Sequence, residues 1–237
     1  MVGGREVRIT AAPGGVLVEP LDDETEPVVR RLLGLDFDLR AFEAFAASDS
    51  VLVGLVERLR GLRPAVAPDP FESLVTSITA QQVSLFAAFA VRSRLIERFG
   101  ERAEHAFAFP TRARLAGADE HVLVGLGFSR RKAEYVVGLA CSELDLDGLA
   151  TLADVEVKSR ISSVRGLGEW TADWFLARHL ARPRAWPAGD LGLRKAVSAF
   201  YGGGRDLSTE EVRAIGSRFA PFENLTAHYL LVGLRVA

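Results

Sequence analysis

Along most of this chain, hydrophobic residues recur every three or four positions, the period of an amphipathic helix. From Pro27 onward the apolar sets are Val29, Leu32 and Leu33; then Leu39, Phe42 and Phe45; then Leu52, Leu55, Val56 and Leu59. After a proline-bearing stretch over 63–70, Phe71, Leu74, Val75 and Ile78 predict a further helix. Gln81-Gln82-Val83-Ser84 interrupts the pattern, and Ser84 is placed to N-cap a helix whose apolar side includes Phe86, Phe89, Ile96 and Phe99, with Gly100 as its stop. Leu123 and Leu126 lead to a C-cap at Gly127, and Arg130-Arg131-Lys132 opens a helix through Tyr135, Val136 and Leu139. Val157, Ile161 and Val164 give a helix over 154–163. Ser208 and Glu211 form a capping box before Val212, Ile215 and Phe219, and Leu225, Tyr229 and Val232 mark the last helix. Only residues 5–20 alternate with period two, around a turn at Pro13-Gly14-Gly15. The prediction is a mainly α protein with a short N-terminal β element.

Composition narrows the chemistry. The 237 residues suffice for one large domain or two lobes, and 49% of them are hydrophobic, enough for a sizeable core. The net charge of −2 advertises no polyanionic partner, so a basic face has to be local. One cysteine, Cys141, rules out an intrachain disulfide and a cysteine-ligated cluster within the chain. The four histidines are far apart, without metal-ligand spacing, so no metal is expected. The opening residues carry no apolar signal segment, and the run Val83–Val91 is too short to span a bilayer. A cytoplasmic protein without membrane contact, monomeric, is the expectation.

The chemistry concentrates in residues 164–195. Gly166-Leu167-Gly168 is a tight turn running into a helix. Its glycines permit positive φ and close passage of the backbone past a ligand, and the helix amides behind it suit a phosphate without reading sequence. Trp170 and Trp174, four apart, share a helix face and could stack on a flat base. Asp190 follows Pro187 and Gly189 and opens another helix; a capping aspartate keeps a second oxygen that can face a cleft. Each feature also has a plainer reading: a turn between packed helices, two core aromatics, an N-cap. Their conjunction points to an enzyme acting on nucleic acid.

GLGEWTADW followed by PAGDLGLRK resembles the helix-hairpin-helix DNA glycosylase superfamily, and within it the bacterial DNA-3-methyladenine glycosylase II family. Asp69-Pro70-Phe71-Glu72-Ser73-Leu74-Val75 through Gln81-Gln82-Val83-Ser84 is similar to a second family segment, and Leu123–Ala140 to a third; the three lie in the family's order across about 27–237. The resemblance implies a two-lobed helical fold: a β element over 1–26, one lobe from 27–69 plus 183–237, and another over 70–182 holding the helix-hairpin-helix at about 154–179. It makes Asp190 the catalytic residue. Trp170, Trp174 and Phe222 line the base pocket, and Gln82 is the side chain filling the gap left by an extruded nucleotide. Ser84, Arg165, Gly166, Gly168 and Thr171 contact DNA. Arg165 stands where a proline is usual, and Trp170 where bifunctional relatives carry a nucleophilic lysine.

The expected activity is therefore monofunctional excision of alkylated purines of the 3-methyladenine type from damaged double-stranded DNA, leaving an abasic site. No cofactor is required, though a monovalent cation at the hairpin backbone is compatible with this reading. Other lesions (hypoxanthine, ethenoadenine, uracil, a mismatched base) and a non-catalytic DNA-binding role remain as alternatives.

Overall fold

A computed structural model describes residues 5–236 of the protein; residues 1–4, at the head of the expected β element, lie outside the described part. Two strands, β1 (Arg8–Ala12) and β2 (Gly15–Glu19), pair antiparallel with Ile9 opposite Val18. Gly14 supplies the positive φ of 77° that their tight turn requires. Helices follow: α1 (Thr25–Leu32), α2 (Leu39–Ala46), α3 (Ser50–Arg58), α4 (Pro70–Ala80), α5 (Leu85–Phe99), α6 (Arg112–Ala116), α7 (Glu120–Gly125), α8 (Arg130–Cys141), α9 (Asp154–Ser162), α10 (Glu169–Arg178), α11 (Leu191–Tyr201), α12 (Thr209–Gly216) and α13 (Glu223–Val236). The fold is mainly α with a short N-terminal β element, as the hydrophobic pattern predicts.

The starts of these helices are written in the sequence. Asp38, Asp49, Asp69, Ser84, Thr111, Asp119, Ser129, Asp190 and Ser208 each accept a first-turn amide on their side chain. Ser208 and Glu211 complete the capping box.

Contacts divide the chain into two units. One runs to Leu32 and resumes over Ala67–Thr171; the other comprises Leu33–Val66 and the chain from Ala172 on. These boundaries differ from the expected 27, 70 and 183, and the last difference has a visible cause. Beyond Ala172 the chain is tied to α13: the Asn224 side-chain amide donates to the carbonyls of Ala177 and Arg182, each at 3.0 Å. Helix α10 therefore begins in one unit and ends in the other.

In the first unit α8 packs against α4, α6 and α7, around Leu74, Ile78, Leu115, Leu123, Val136 and Leu139. In the second, α13 packs on α3 and α11 over Phe42, Leu52, Leu55, Val197 and Tyr229. Polar ties close this unit: the Tyr201 hydroxyl donates to Asp49 at 2.9 Å and the Tyr229 hydroxyl to the Leu62 carbonyl at 3.1 Å.

One predicted face is wrong. Helix α5 buries Ala88 and Leu95, not Phe86 and Phe89, which are 85% and 62% exposed. Small residues let α5 lie close against α4, and the two phenylalanines fall on the far side.

Candidate active site

Asp190 sits at the N-cap of α11 with extended backbone, φ −73° and ψ 126°. Its Oδ1 accepts the Leu193 amide at 2.9 Å, and its Oδ2 accepts the indole N–H of Trp174 at 3.1 Å. The second oxygen, expected to face a cleft unaided, is thus held by a neighbour. Two donors fix the plane of the carboxylate, and the helix N-terminus behind it favours negative charge. The chain crowds this corner: a Cβ on Gly192 would lie 3.0 Å from Asp190 Oδ1 and 3.2 Å from Leu231. Gly192, a poor helix former in the first turn, is a signal that the sequence reading passed over.

Trp174 is not the open stacking surface expected from its spacing. It is 4% exposed, its ring meets His228 edge-on at 5.7 Å, and the Arg178 guanidinium lies 3.8 Å from its centroid. Cation–π attraction holds that arginine over the indole face, and the indole N–H is taken by Asp190. Desolvation draws the Arg178 pKa down to about 10 against the pull of the Asp190 charge; the side chain keeps a solvent-exposed surface, and the guanidinium stays protonated at neutral pH. His228, missed by the sequence reading, is buried on α13 with its Nδ1 2.9 Å from the Asn224 carbonyl. Burial, reinforced by the Arg178 charge, lowers its pKa to about 4, which leaves the ring neutral.

Phe222 packs among aromatics of its own unit, 5.2 Å from Phe45 and 5.8 Å from Phe42, and so joins the α2–α13 packing. Trp170 is half-buried in the first turn of α10. Thr171, expected to contact DNA, is 1% exposed: its side chain points into the protein, and what remains for a ligand is its main-chain amide in the first helical turn.

The hairpin between α9 and α10 belongs to the first unit up to Thr171. Gly166 has φ +91°, and a Cβ there would lie 2.2 Å from the Tyr135 ring, so both the backbone and the neighbour demand glycine. Gly168 shares neither constraint: its φ is not positive and a Cβ there would meet open space. The Gln81 side-chain amide donates to the Gly166 carbonyl at 2.9 Å, and Lys132 Nζ donates to the Thr79 carbonyl at 2.9 Å. The α4–α5 turn is thereby tied to the hairpin and to the head of α8. Gln82, next in line, is exposed with a positive φ of 54°, a backbone state that glycine adopts more readily. Ser84 is exposed and caps α5. Arg165 pairs with Glu134 at 3.0 Å across solvent-exposed surface, a bond weak enough to be exchanged for a phosphate. Among the described residues, no group of three or more His, Cys, Asp and Glu could hold a metal ion, and no helix is long and apolar enough to cross a membrane.

Comparison with known proteins places the chain in a family. The sequence model of the "HhH-GPD superfamily base excision DNA repair protein" family matches residues 75–221. A DNA-3-methyladenine glycosylase of Bacillus subtilis is 27% identical over 216 residues, which cover 88% of this chain and 71% of that protein. Two further curated relatives are spanned over 57% and 47% of their length. Among solved structures, the 3-methyladenine DNA glycosylase of Archaeoglobus fulgidus superposes with a TM-score of 0.89 at 29% identity, covering 100% of this chain and 85% of that one. A Schizosaccharomyces pombe 3-methyladenine DNA glycosylase in complex with abasic DNA matches with a TM-score of 0.68 at 25% identity, over 78% of this chain and 92% of that one.

Proposed function

This chain belongs to the HhH-GPD superfamily of base excision DNA repair proteins, and we propose that it is a monofunctional DNA glycosylase for N-alkylated purines of the 3-methyladenine type. The observation that carries the reading is the Asp190 carboxylate, clamped between the Trp174 indole N–H and the first turn of α11. The names of the similar proteins supply the substrate class.

The chemistry follows from the charge. A base inside a duplex is out of reach of a protein pocket, so the nucleotide leaves the stack. Gln82 fills the gap, while the Gly166–Gly168 hairpin, with Ser84 and Arg165, holds the backbone. Alkylation places positive charge on the purine and makes it a better leaving group. The departing base leaves an oxocarbenium-like sugar, which a carboxylate fixed in place stabilises without reorganising. Water then attacks C1′. With the Trp174 ring covered, preference for a cationic base falls to Trp170, worth about 0.5–2 kcal/mol of cation–π attraction. Trp170 offers no amine for a Schiff base, so the product is an intact abasic strand.

No cofactor enters the reaction. A monovalent cation at the hairpin would sit on main-chain carbonyls, of which Val164 and Gly166 already accept the Leu167 amide at 3.0 Å and the Gln81 side chain at 2.9 Å; no step is routed through it. The protein acts on double-stranded damaged DNA as a monomer in the cytoplasm.

Asp190→Asn tests the assignment. Asparagine caps a helix as well as aspartate does, so the fold is kept. Release of 3-methyladenine from methylated duplex should fall at least about 100-fold, the scale of removing a preorganised charge, while DNA binding persists. Unchanged release would sink the mechanism. Strand breaks without alkali or heat, in a nuclease-free preparation, would overturn the monofunctional part.

A further inference from the structure

The turn that carries Gln82 continues into an apolar surface that the reaction above does not use. Val83, Leu85, Phe86 and Phe89 are all exposed within seven residues, and Phe86 is 85% so. Isolated exposed hydrophobics are ordinary; a contiguous set with two phenylalanines is a contact surface awaiting an occupant. On α5 the two rings are three residues apart and share one face.

Charge selects the occupant. No acidic residue occurs between Glu72 and Glu97; within that stretch Arg92 pairs with Glu72, while Arg94 is exposed and donates one N–H to the Leu126 carbonyl. The adjoining head of α8 presents Arg130 and Arg131 to solvent, and Lys132 reaches the end of α4 through the Thr79 carbonyl. An apolar strip flanked by the exposed Arg94, Arg130 and Arg131 suits a polyanion with flat apolar faces. The strip also runs on from Gln82, and Gln81 ties that turn to the hairpin carbonyl of Gly166, so it extends the surface already given to the DNA backbone.

The geometry points to Phe86 and Phe89 as a second DNA contact, which stacks against unstacked bases beside the gap left by the extruded nucleotide. This rests on the glycosylase reading. Apolar wedges hold open base steps in other DNA-distorting proteins, and base–aromatic stacking is strong and indifferent to sequence. The strip would let the enzyme hold an opened duplex whatever base stands opposite the lesion. Single-stranded DNA has no gap to hold open and would not need it.

Phe86→Ala, Phe86→Tyr and a Phe86→Ala/Phe89→Ala double variant test this in the full chain. Binding is measured on duplex containing an abasic-site analogue, and 3-methyladenine release on methylated duplex and on the same strand single. Phe86→Ala should weaken duplex binding about tenfold, the double variant more, and Phe86→Tyr should restore it. Release from single strands should be unchanged, as should the melting temperature, because so exposed a ring supports little of the fold. Equal duplex binding by wild type and double variant would overturn the proposal. So would wild-type self-association, read by sedimentation, that the double variant loses while its duplex affinity stays the same. If wild type releases no base from methylated duplex, the glycosylase reading fails by itself; the abasic-duplex binding arm still decides the strip.

Discussion

Two aromatic groups in this protein have opposite fates. Trp174 is enclosed: its N–H is spent on Asp190, its edge meets His228, and Arg178 covers its face. Phe86, at the head of α5, touches mostly solvent. By residue type the tryptophan looks like the ligand platform and the phenylalanine like core, and the structure reverses both. What separates them is whether neighbours can satisfy every part of the ring. An indole has a polar handle that a carboxylate can take, after which burial completes the packing. A phenylalanine opposite the small-residue seam of its own helix has nothing to pack against.

The contrast makes unequal demands on stability. Trp174→Ala should cost about 3–5 kcal/mol, the usual range for a buried aromatic, whereas Phe86→Ala should leave the urea midpoint within error of wild type. Similar losses for both would erase the distinction.

The enclosure should also show in pH. His228, beside Trp174, has its pKa lowered from 6.5 to about 4 by burial. The unfolded chain therefore takes up a proton near pH 6.5 that the folded chain refuses. Stability should be full above pH 6.5, fall by roughly 3 kcal/mol as pH drops towards 4, and level off below. Urea titrations at stepped pH measure it, and His228→Leu should flatten that part of the curve. A slope of the same size in the variant would assign it to other groups.

The smallest effect isolates the indole N–H. Trp174→Phe keeps a ring under Arg178 but removes the donor to Asp190. Base release should slow about tenfold in kcat with little change in KM, in line with about 1.5 kcal/mol for a hydrogen bond to a charged acceptor. A change confined to KM would show that Trp174 meets the base after all.

Much of this was legible in the sequence, and the rest failed for physical reasons. Caps at Ser84, Asp190 and Ser208 are local chemistry and were readable as such. So was the turn at Gly166, although its second cause, the Tyr135 ring, comes from 31 residues away and is invisible to local pattern. The α5 face failed because SLFAAFAVRSRLI is apolar on nearly every side, so periodicity leaves its phase open and the neighbouring helix decides. The partner of Asp190 Oδ2 lies 16 residues back; spacing could place Trp174 near the acid but could not say that its N–H, not its face, would be used. Gln81 and Gln82 show the limit most plainly: identical neighbours, one turned in to the hairpin carbonyl and one turned out.

That outward turn at Gln82 sets durability against repair. A left-handed backbone costs a side-chain-bearing residue about 1 kcal/mol that glycine would not incur. Any screen for heat resistance alone will therefore favour glycine at position 82, and the sturdier enzyme that results will have lost the side chain proposed to fill the gap in the duplex.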